Sequence, residues 1–224
     1  MTASYFDSTN LKPDAAREDI NNLCSEAVRL QMAAVCVNPY RLKTVVENLE
    51  GTKVNKCTVI GFPLGADTPE NKALMAHSAL LLGADELDMV INLGAMKDED
   101  YHIIEQEIKG LGQLKKDFNF LLKIIVETGL LSEKELAAIT RMVSDSQADF
   151  IKTSTGFSAR GASLADISTI KLYKSEKLRI KASGGIRTLE SALAFIEAGA
   201  ERIGSSNAGA IIEEYRQRGG LLRG

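Results

Sequence analysis

Two lysines carry most of the chemistry that can be read from this chain. Lys152 ends the apolar run Phe150-Ile151-Lys152 and opens into Thr153-Ser154-Thr155-Gly156-Phe157. Lys181 stands the same way in Leu178-Arg179-Ile180-Lys181, ahead of Ala182-Ser183-Gly184-Gly185. Each stretch reads as a strand that ends on an amine and turns into a loop of small residues. Two ammonium groups held close together in a dry site repel each other, and one gives up its proton more readily. A neutral lysine amine can then attack a carbonyl carbon. The pair points toward Schiff-base chemistry.

Other residues could serve the same reaction. Asp88 lies in Glu86-Leu87-Asp88-Met89-Val90-Ile91-Asn92, on one strand face with Val90 and Asn92. Gly184-Gly185-Ile186-Arg187 follows the second lysine run, and Gly204-Ser205-Ser206-Asn207 follows a later strand and opens a short helix. Glycine lets a backbone approach an anion closely, serine hydroxyls add donors, and a helix N-terminus favours negative charge. Together the two loops read as a phosphate site, although Gly-Gly alone would also serve any tight turn. Thr155 and Gly156 would sit on the same side of the mouth. Asp7 and Thr9 end the first strand and could order a substrate hydroxyl or cap the next helix. Cys36, in Ala33-Ala34-Val35-Cys36-Val37-Asn38-Pro39, could look into the mouth or be a small buried hydrophobe. His77 and His102 fall in helical stretches as surface or packing residues. They cannot supply the histidine cluster a zinc-dependent aldolase needs. Carbon–carbon chemistry beside a carbonyl would therefore run through lysine, with no metal.

The elements that position these groups alternate regularly. Strands are expected at Tyr5–Asp7, Ala33–Val37, Cys57–Phe62, Glu86–Asn92, Phe120–Glu127, Asp149–Lys152, Leu178–Ala182 and Arg202–Ser205, with helical patterns between them. Thr68-Pro69 offers an N-cap and a first-turn proline. Ser132 and Ser163 have capping-box spacing, and Gly83 and Gly199 suit C-terminal caps. This alternation implies a parallel sheet, either doubly wound or closed. Eight strands favour a single-domain (β/α)8 barrel over residues 1–224, with short loops. Side chains two apart share a face, which turns Asp88, Lys123, Lys152, Lys181, Glu127 and Arg179 inward. Buried charges gathered in one place are usually functional. The alternative is an internal ion-pair network that only fixes register.

Composition limits the rest. The 224 residues are 45% hydrophobic and 25% charged, an ordinary globular balance. A net charge of −3 gives no reason to expect nucleic acid or an acidic membrane surface. No apolar run approaches the roughly 20 residues of a membrane span. Met1-Thr2-Ala3-Ser4 leads directly into strand-like sequence, so no signal peptide is expected. Cys24, Cys36 and Cys57 are odd in number and scattered, without a disulfide framework or metal spacing, which favours a reducing cytoplasm.

The stretches around Lys152, Lys181 and Asp88, with Thr58-Val59-Ile60-Gly61-Phe62-Pro63-Leu64-Gly65, Val35-Cys36-Val37-Asn38-Pro39 and Ile203-Gly204-Ser205-Ser206, closely resemble bacterial deoxyribose-phosphate aldolase. The likeness runs from about Asp7 to the last helix. It implies a TIM barrel that acts by the class I route without metal or cofactor, cleaving 2-deoxyribose 5-phosphate to glyceraldehyde 3-phosphate and acetaldehyde in deoxyribose phosphate catabolism. By position, Lys152 resembles the Schiff-base lysine, Lys181 the second lysine that keeps it deprotonated, and Asp88 the acid of the proton relay. Gly156, Gly185, Ser205 and Ser206 resemble phosphate-loop positions. The family's first strand usually ends Asp-His-Thr-Leu-Leu-Lys-Pro; here Ser8 and Asn10 replace the histidine and a leucine, while Asp7 and Thr9 are kept. A different class I phosphosugar aldolase, a transaldolase, or a non-catalytic phosphosugar-binding barrel would use the same scaffold. Partners are expected to be small phosphosugars and aldehydes, with a homodimer as the assembly.

Overall fold

Each lysine run becomes a short strand because its apolar residues are wanted on the outer face and its charged residue on the inner one. In the computed structural model, which describes residues 1–219, eight such strands pair in parallel and close into a barrel in chain order. They are β1 (Phe6–Asn10), β2 (Ala34–Val37), β3 (Asn55–Ile60), β4 (Glu86–Val90), β5 (Leu121–Ile125), β6 (Phe150–Lys152), β7 (Arg179–Ser183) and β8 (Arg202–Ser205). The helices are α1 (Arg17–Leu30), α2 (Leu42–Leu49), α3 (Pro69–Leu81), α4 (Leu93–Lys97), α5 (Tyr101–Gln113), α6 (Glu133–Ser144), α7 (Leu164–Tyr173), α8 (Leu189–Ala198) and α9 (Ala208–Gln217). Residues 220–224 of the expected domain lie outside the described residues. No helix among the described residues is long and apolar enough to cross a membrane.

Strand parity divides the core in two. Leu87 and Met89 on β4, Leu122 and Ile124 on β5, Ile151 on β6 and Ile180 on β7 face outward, buried against the helices. A fully buried Leu or Ile of this kind contributes about 1.5–3 kcal/mol. Inside the barrel, Leu11, Ala34, Cys36, Cys57 and Val59 form a small apolar cluster on the β2–β3 side. Elsewhere the interior holds Asp7, Glu86, Asp88, Lys123 and Lys181, all fully buried, alongside Val90, Ile125 and Phe150.

Several boundaries move from their expected places for local reasons. Tyr5 closes a 3-10 turn (Ala3–Tyr5), and β1 runs on to Asn10. β3 starts earlier, at Asn55, and stops at Ile60. β4 ends at Val90 because Asn92 caps α4, its side chain accepting from the Ala95 N–H at 3.0 Å. β5 stops at Ile125 because Glu127 adopts a left-handed backbone, φ 51°. The helix caps read from the sequence are in place, and Thr188 adds one that the sequence analysis did not name. Thr68, Ser132, Ser163 and Thr188 all accept from a first-turn N–H, and Gly199 closes α8 at φ 116°. Not every loop is short: residues 61–68 and 153–163 are long connections at the C-terminal end of the barrel.

Candidate active site

β6 and β7 bring the two lysines together as register partners. Both amines donate to one oxygen: Lys152 Nζ lies 2.7 Å and Lys181 Nζ 2.8 Å from Asp88 Oδ2. Lys181 also donates to Asp7 Oδ2. The other oxygen of Asp88 is held by Lys123, the register partner of Asp88 on β5, with Nζ at 2.6 Å from Oδ1. Lys123 is ion-paired with Glu86 Oε2 at 2.5 Å. Arg202 at the start of β8 donates to Asp7 Oδ1 at 2.5 Å and reaches Glu86 at 3.4 Å. The result is one continuous network of four cations (Lys123, Lys152, Lys181, Arg202) and three carboxylates (Asp7, Glu86, Asp88).

The electrostatics separate the two lysines. Burial acts against the charge of Lys181, but the carboxylates of Asp7 and Asp88 outweigh it and hold its pKa above the usual lysine value. Burial likewise opposes ionisation of Asp88, and Lys123, Lys152 and Lys181 override it, holding the carboxyl well below its ordinary range. Asp7 is held low in the same way by Arg202 and Lys181. Lys181, Asp88 and Asp7 are therefore all charged at neutral pH. The network sets four cations against three carboxylates. Lys152 is the lysine with a single carboxylate partner, and it is also the one that lines the cleft, 3% exposed.

That cleft, about 380 Å³, opens beyond the C-terminal strand ends, where barrels of this kind place their sites. Thr9, Thr155, Gly156, Gly184, Gly185, Gly204, Ser205 and Ser206 all line it with Lys152. Their individual roles differ from the sequence expectation in places. The Thr155 hydroxyl donates to Glu127 Oε2, so it is committed within the protein. The Ser205 hydroxyl donates to Ile186 O at 2.7 Å and accepts from the Asn207 N–H at 3.0 Å, clasping the β8 loop to the β7 loop. A Cβ on Gly204 would stand 3.2 Å from Lys181 Cε, so this glycine makes room for the second lysine. Gly184 has φ +85°, and a Cβ there would meet Gly161 Cα at 3.0 Å where the β6–α7 loop crosses.

Two expected contacts are corrected. Asp7 neither faces the cleft nor caps α1; its carboxylate is fully buried between Lys181 and Arg202. Cys36 also leaves the mouth, turning into the barrel beside Cys57. The cysteines are therefore not all scattered: Cys36, Cys57 and Asp88 put ligand-type atoms within 4.8 Å of one another.

The sequence reading missed other residues. Glu86 and Arg202 share strand faces with Asp88 and Gly204, and the parity that picked out Asp88 could have found both. Lys12 and Arg187 put cations on the cleft rim, and Phe157 supplies a ring that packs edge-on against Phe62 at 5.3 Å. Of the inward charges whose roles were open, Lys123 orients Asp88. Glu127 holds the β6–α7 loop through the Thr155 N–H at 3.1 Å. Arg179 stacks 4.0 Å over the Phe150 ring.

Comparison with known proteins gives a consistent result. Residues 2–213 match the model of the DeoC/LacD family aldolases. A protein of Thermococcus gammatolerans named deoxyribose-phosphate aldolase is 47% identical over 216 residues, 96% of each chain. Among solved structures, an aldolase called QR15 superposes with a TM-score of 0.92 at 40% identity over 99% of both chains. The deoxyribose phosphate aldolase of Aeropyrum pernix, described as a tetramer, superposes with a TM-score of 0.89 at 32% identity, covering 96% of this chain and 91% of its own.

Proposed function

The chain belongs to the DeoC/LacD aldolase family, and on that premise we propose that it cleaves 2-deoxy-D-ribose 5-phosphate reversibly to D-glyceraldehyde 3-phosphate and acetaldehyde. The observation that carries the reading is the position of Lys152. Its amine faces the cleft and shares one Asp88 oxygen with a second lysine.

Neutral Lys152 attacks the aldehyde carbon of the open-chain sugar, and the carbinolamine loses water to give an iminium. The C2–C3 bond then breaks, with its electrons drawn into the iminium to leave an enamine. Asp88, through a water, takes the proton of the C3 hydroxyl as that oxygen becomes the aldehyde of glyceraldehyde 3-phosphate. Its full burial beneath Lys152 places it behind the amine rather than against the sugar. Lys181, cationic at rest, opposes a positive charge on nearby Lys152, gives a proton to the enamine carbon and regains one before the next turnover. Hydrolysis of the remaining imine releases acetaldehyde and restores the amine.

The phosphate of the sugar is assigned to the backbone of Gly184, Gly185 and Ser206, with Arg187 and Lys12 at the rim. This arrangement uses the approach that glycine permits and the cations nearest the loops. The working assembly is proposed as a homodimer in the cytoplasm; exposed Leu74 and Leu81 on α3 offer apolar surface for it. Sedimentation velocity distinguishes dimer from tetramer.

The substrate assignment is tested by a panel. Cleavage of 2-deoxyribose 5-phosphate should release acetaldehyde with far higher kcat/KM than ribose 5-phosphate, fructose phosphates or transaldolase substrates give. Preferred turnover of any of those would replace the proposed substrate while leaving the lysine chemistry in place.

A further inference from the structure

The barrel interior contains a pair of groups that the aldol reaction does not use. Cys36 on β2 and Cys57 on β3 are register partners on adjacent parallel strands. Neighbouring strands lie about 4.8 Å apart, within the roughly 4.4–6.8 Å between Cα atoms that a disulfide spans. Both side chains are fully buried in one cluster with Leu11, Ala34 and Val59. The two sulfur atoms lie within 4.8 Å of each other. Cys57 Sγ also donates to Asp88 Oδ1 at 3.3 Å and accepts from Lys123 Nζ at 3.3 Å.

The two thiols are not equivalent. The neighbouring Cys57 side chain, helped by the charges of Lys181 and Lys152, outweighs burial and the Asp88 charge and holds the Cys36 thiol below its ordinary pKa. Burial pushes Cys57 well above it. Because the thiolate is the reactive form, Cys36 is placed to attack and Cys57 to resolve. Leu11 lines the catalytic cleft and packs in the same cluster as both thiols. A small uncharged oxidant in the cleft is thus one side chain away from them. Cys24 stands apart on α1, where burial alone pushes its thiol up to about 11.

We propose that Cys36 and Cys57 form a modification site at which hydrogen peroxide closes a disulfide, withdrawing Cys57 from Asp88 and slowing aldol cleavage. The Cys36 thiolate attacks one peroxide oxygen and breaks the O–O bond. It forms a sulfenic acid, and the departing hydroxide takes up a proton as water. The Cys57 sulfur then attacks the sulfenic sulfur, its proton leaving with the sulfenic hydroxyl as a second water. Two thiols and one peroxide give one disulfide and two waters; the sulfurs lose two electrons and the peroxide gains them. Asp88 Oδ1 loses a donor, and Lys123 loses an acceptor.

The test uses the reduced full-length protein treated with graded hydrogen peroxide, then denatured, alkylated, digested and mapped by mass spectrometry. The expected product is a linked peptide pair carrying Cys36 and Cys57, two hydrogens lighter than the separate thiol peptides, with Cys24 alkylated. Aldolase activity should fall at least fivefold as the link forms, and dithiothreitol should reverse both changes. Cys36→Ser, scored against its own untreated sample, should hold its activity at the same dose. Alkylation of both Cys36 and Cys57 at doses that inactivate the protein would overturn the site, as would Cys36 driven to sulfinic acid with Cys57 free. Complete linkage with undiminished activity would overturn its connection to Asp88. The peptide map needs no substrate, so a wrong substrate assignment and a wrong thiol assignment give different results.

Discussion

Lys152 differs from the other cations of the buried network in having one carboxylate partner and a face on the cleft. An isolated lysine has a pKa near 10.4, so under about one in a thousand is neutral at pH 7, a handicap of roughly 4–5 kcal/mol against attack. The proposed mechanism needs the positive charge of neighbouring Lys181 to lessen this handicap. Lys181→Leu removes that neighbouring positive charge while keeping an apolar stem of similar reach. The expected outcome is a fall in single-turnover imine formation at pH 7 of about a hundredfold or more, with partial recovery at alkaline pH. Lys181→Arg keeps the charge but cannot pass a proton, so it should restore the pH profile better than the rate. An unmoved profile in Lys181→Leu would restrict Lys181 to proton transfer or structure. Metal removal gives a second check at this scale. His77 packs edge-on against Phe118 and His102 meets Gln106, so both histidines have structural partners. Exhaustive chelation is expected to leave activity unchanged, whereas loss with recovery on added zinc would contradict the lysine route. The two lysines and Asp88 were legible in the sequence because a charge in an apolar strand stands out. Cys36 with Cys57 was not, since only strand register makes them neighbours.

At the scale of elements, the loops after β6, β7 and β8 line the cleft and are the ones proposed to hold the phosphate. Gly185 has φ +78°, and nothing lies within 4 Å of an added Cβ, so its side is open to a ligand. Gly185→Val would strain the backbone and close that approach, while Ser206→Glu would place a like charge beside the anion. Each should raise KM for 2-deoxyribose 5-phosphate about tenfold or more, a difference of ~1.4 kcal/mol, and change KM for unphosphorylated deoxyribose little. Equal losses on both sugars would make these loops supports of the fold. The sequence located these loops but not the commitment of the Ser205 and Thr155 hydroxyls, because hydrogen bonds across loops leave no local pattern. Caps were easier to read because they are local. Ser163 accepts from the Asp166 N–H at 3.1 Å, and the Asp166 side chain returns the bond at 2.9 Å while also holding Arg160 and Thr128. Ser163→Ala should cost about 1 kcal/mol in denaturant unfolding with catalysis preserved; a neutral change would show that the box adds nothing to this helix.

Over the whole molecule, alternation and parity were enough to indicate a closed eight-stranded barrel with charges inside. Strand ends were less legible because caps and a left-handed residue, Asn92 and Glu127, decide them. The same interior sets the pH range of stability. Asp7 and Asp88 have folded pKa values below the ordinary carboxyl value of about 3.9. Their stabilisation is present above that value and is lost as pH falls through the lower folded ones. Lys123 and Lys181 are raised, so their contribution is present below about 10.4 and is lost as pH rises through the higher folded values. Thermal melts should therefore show a Tm nearly flat from about pH 5 to 9; a steep decline inside that window would mean the network does not stay charged as described. The proposed chemistry rests on one amine at the mouth of this charged interior. The most direct test is to incubate the protein with 2-deoxyribose 5-phosphate, reduce with borohydride and map the adduct by mass spectrometry. The account predicts a reduced adduct on Lys152 and none in Lys152→Ala, which should fold and be inactive. An adduct on Lys181 with Lys152 unmodified, or cleavage with no trapped lysine, would contradict it.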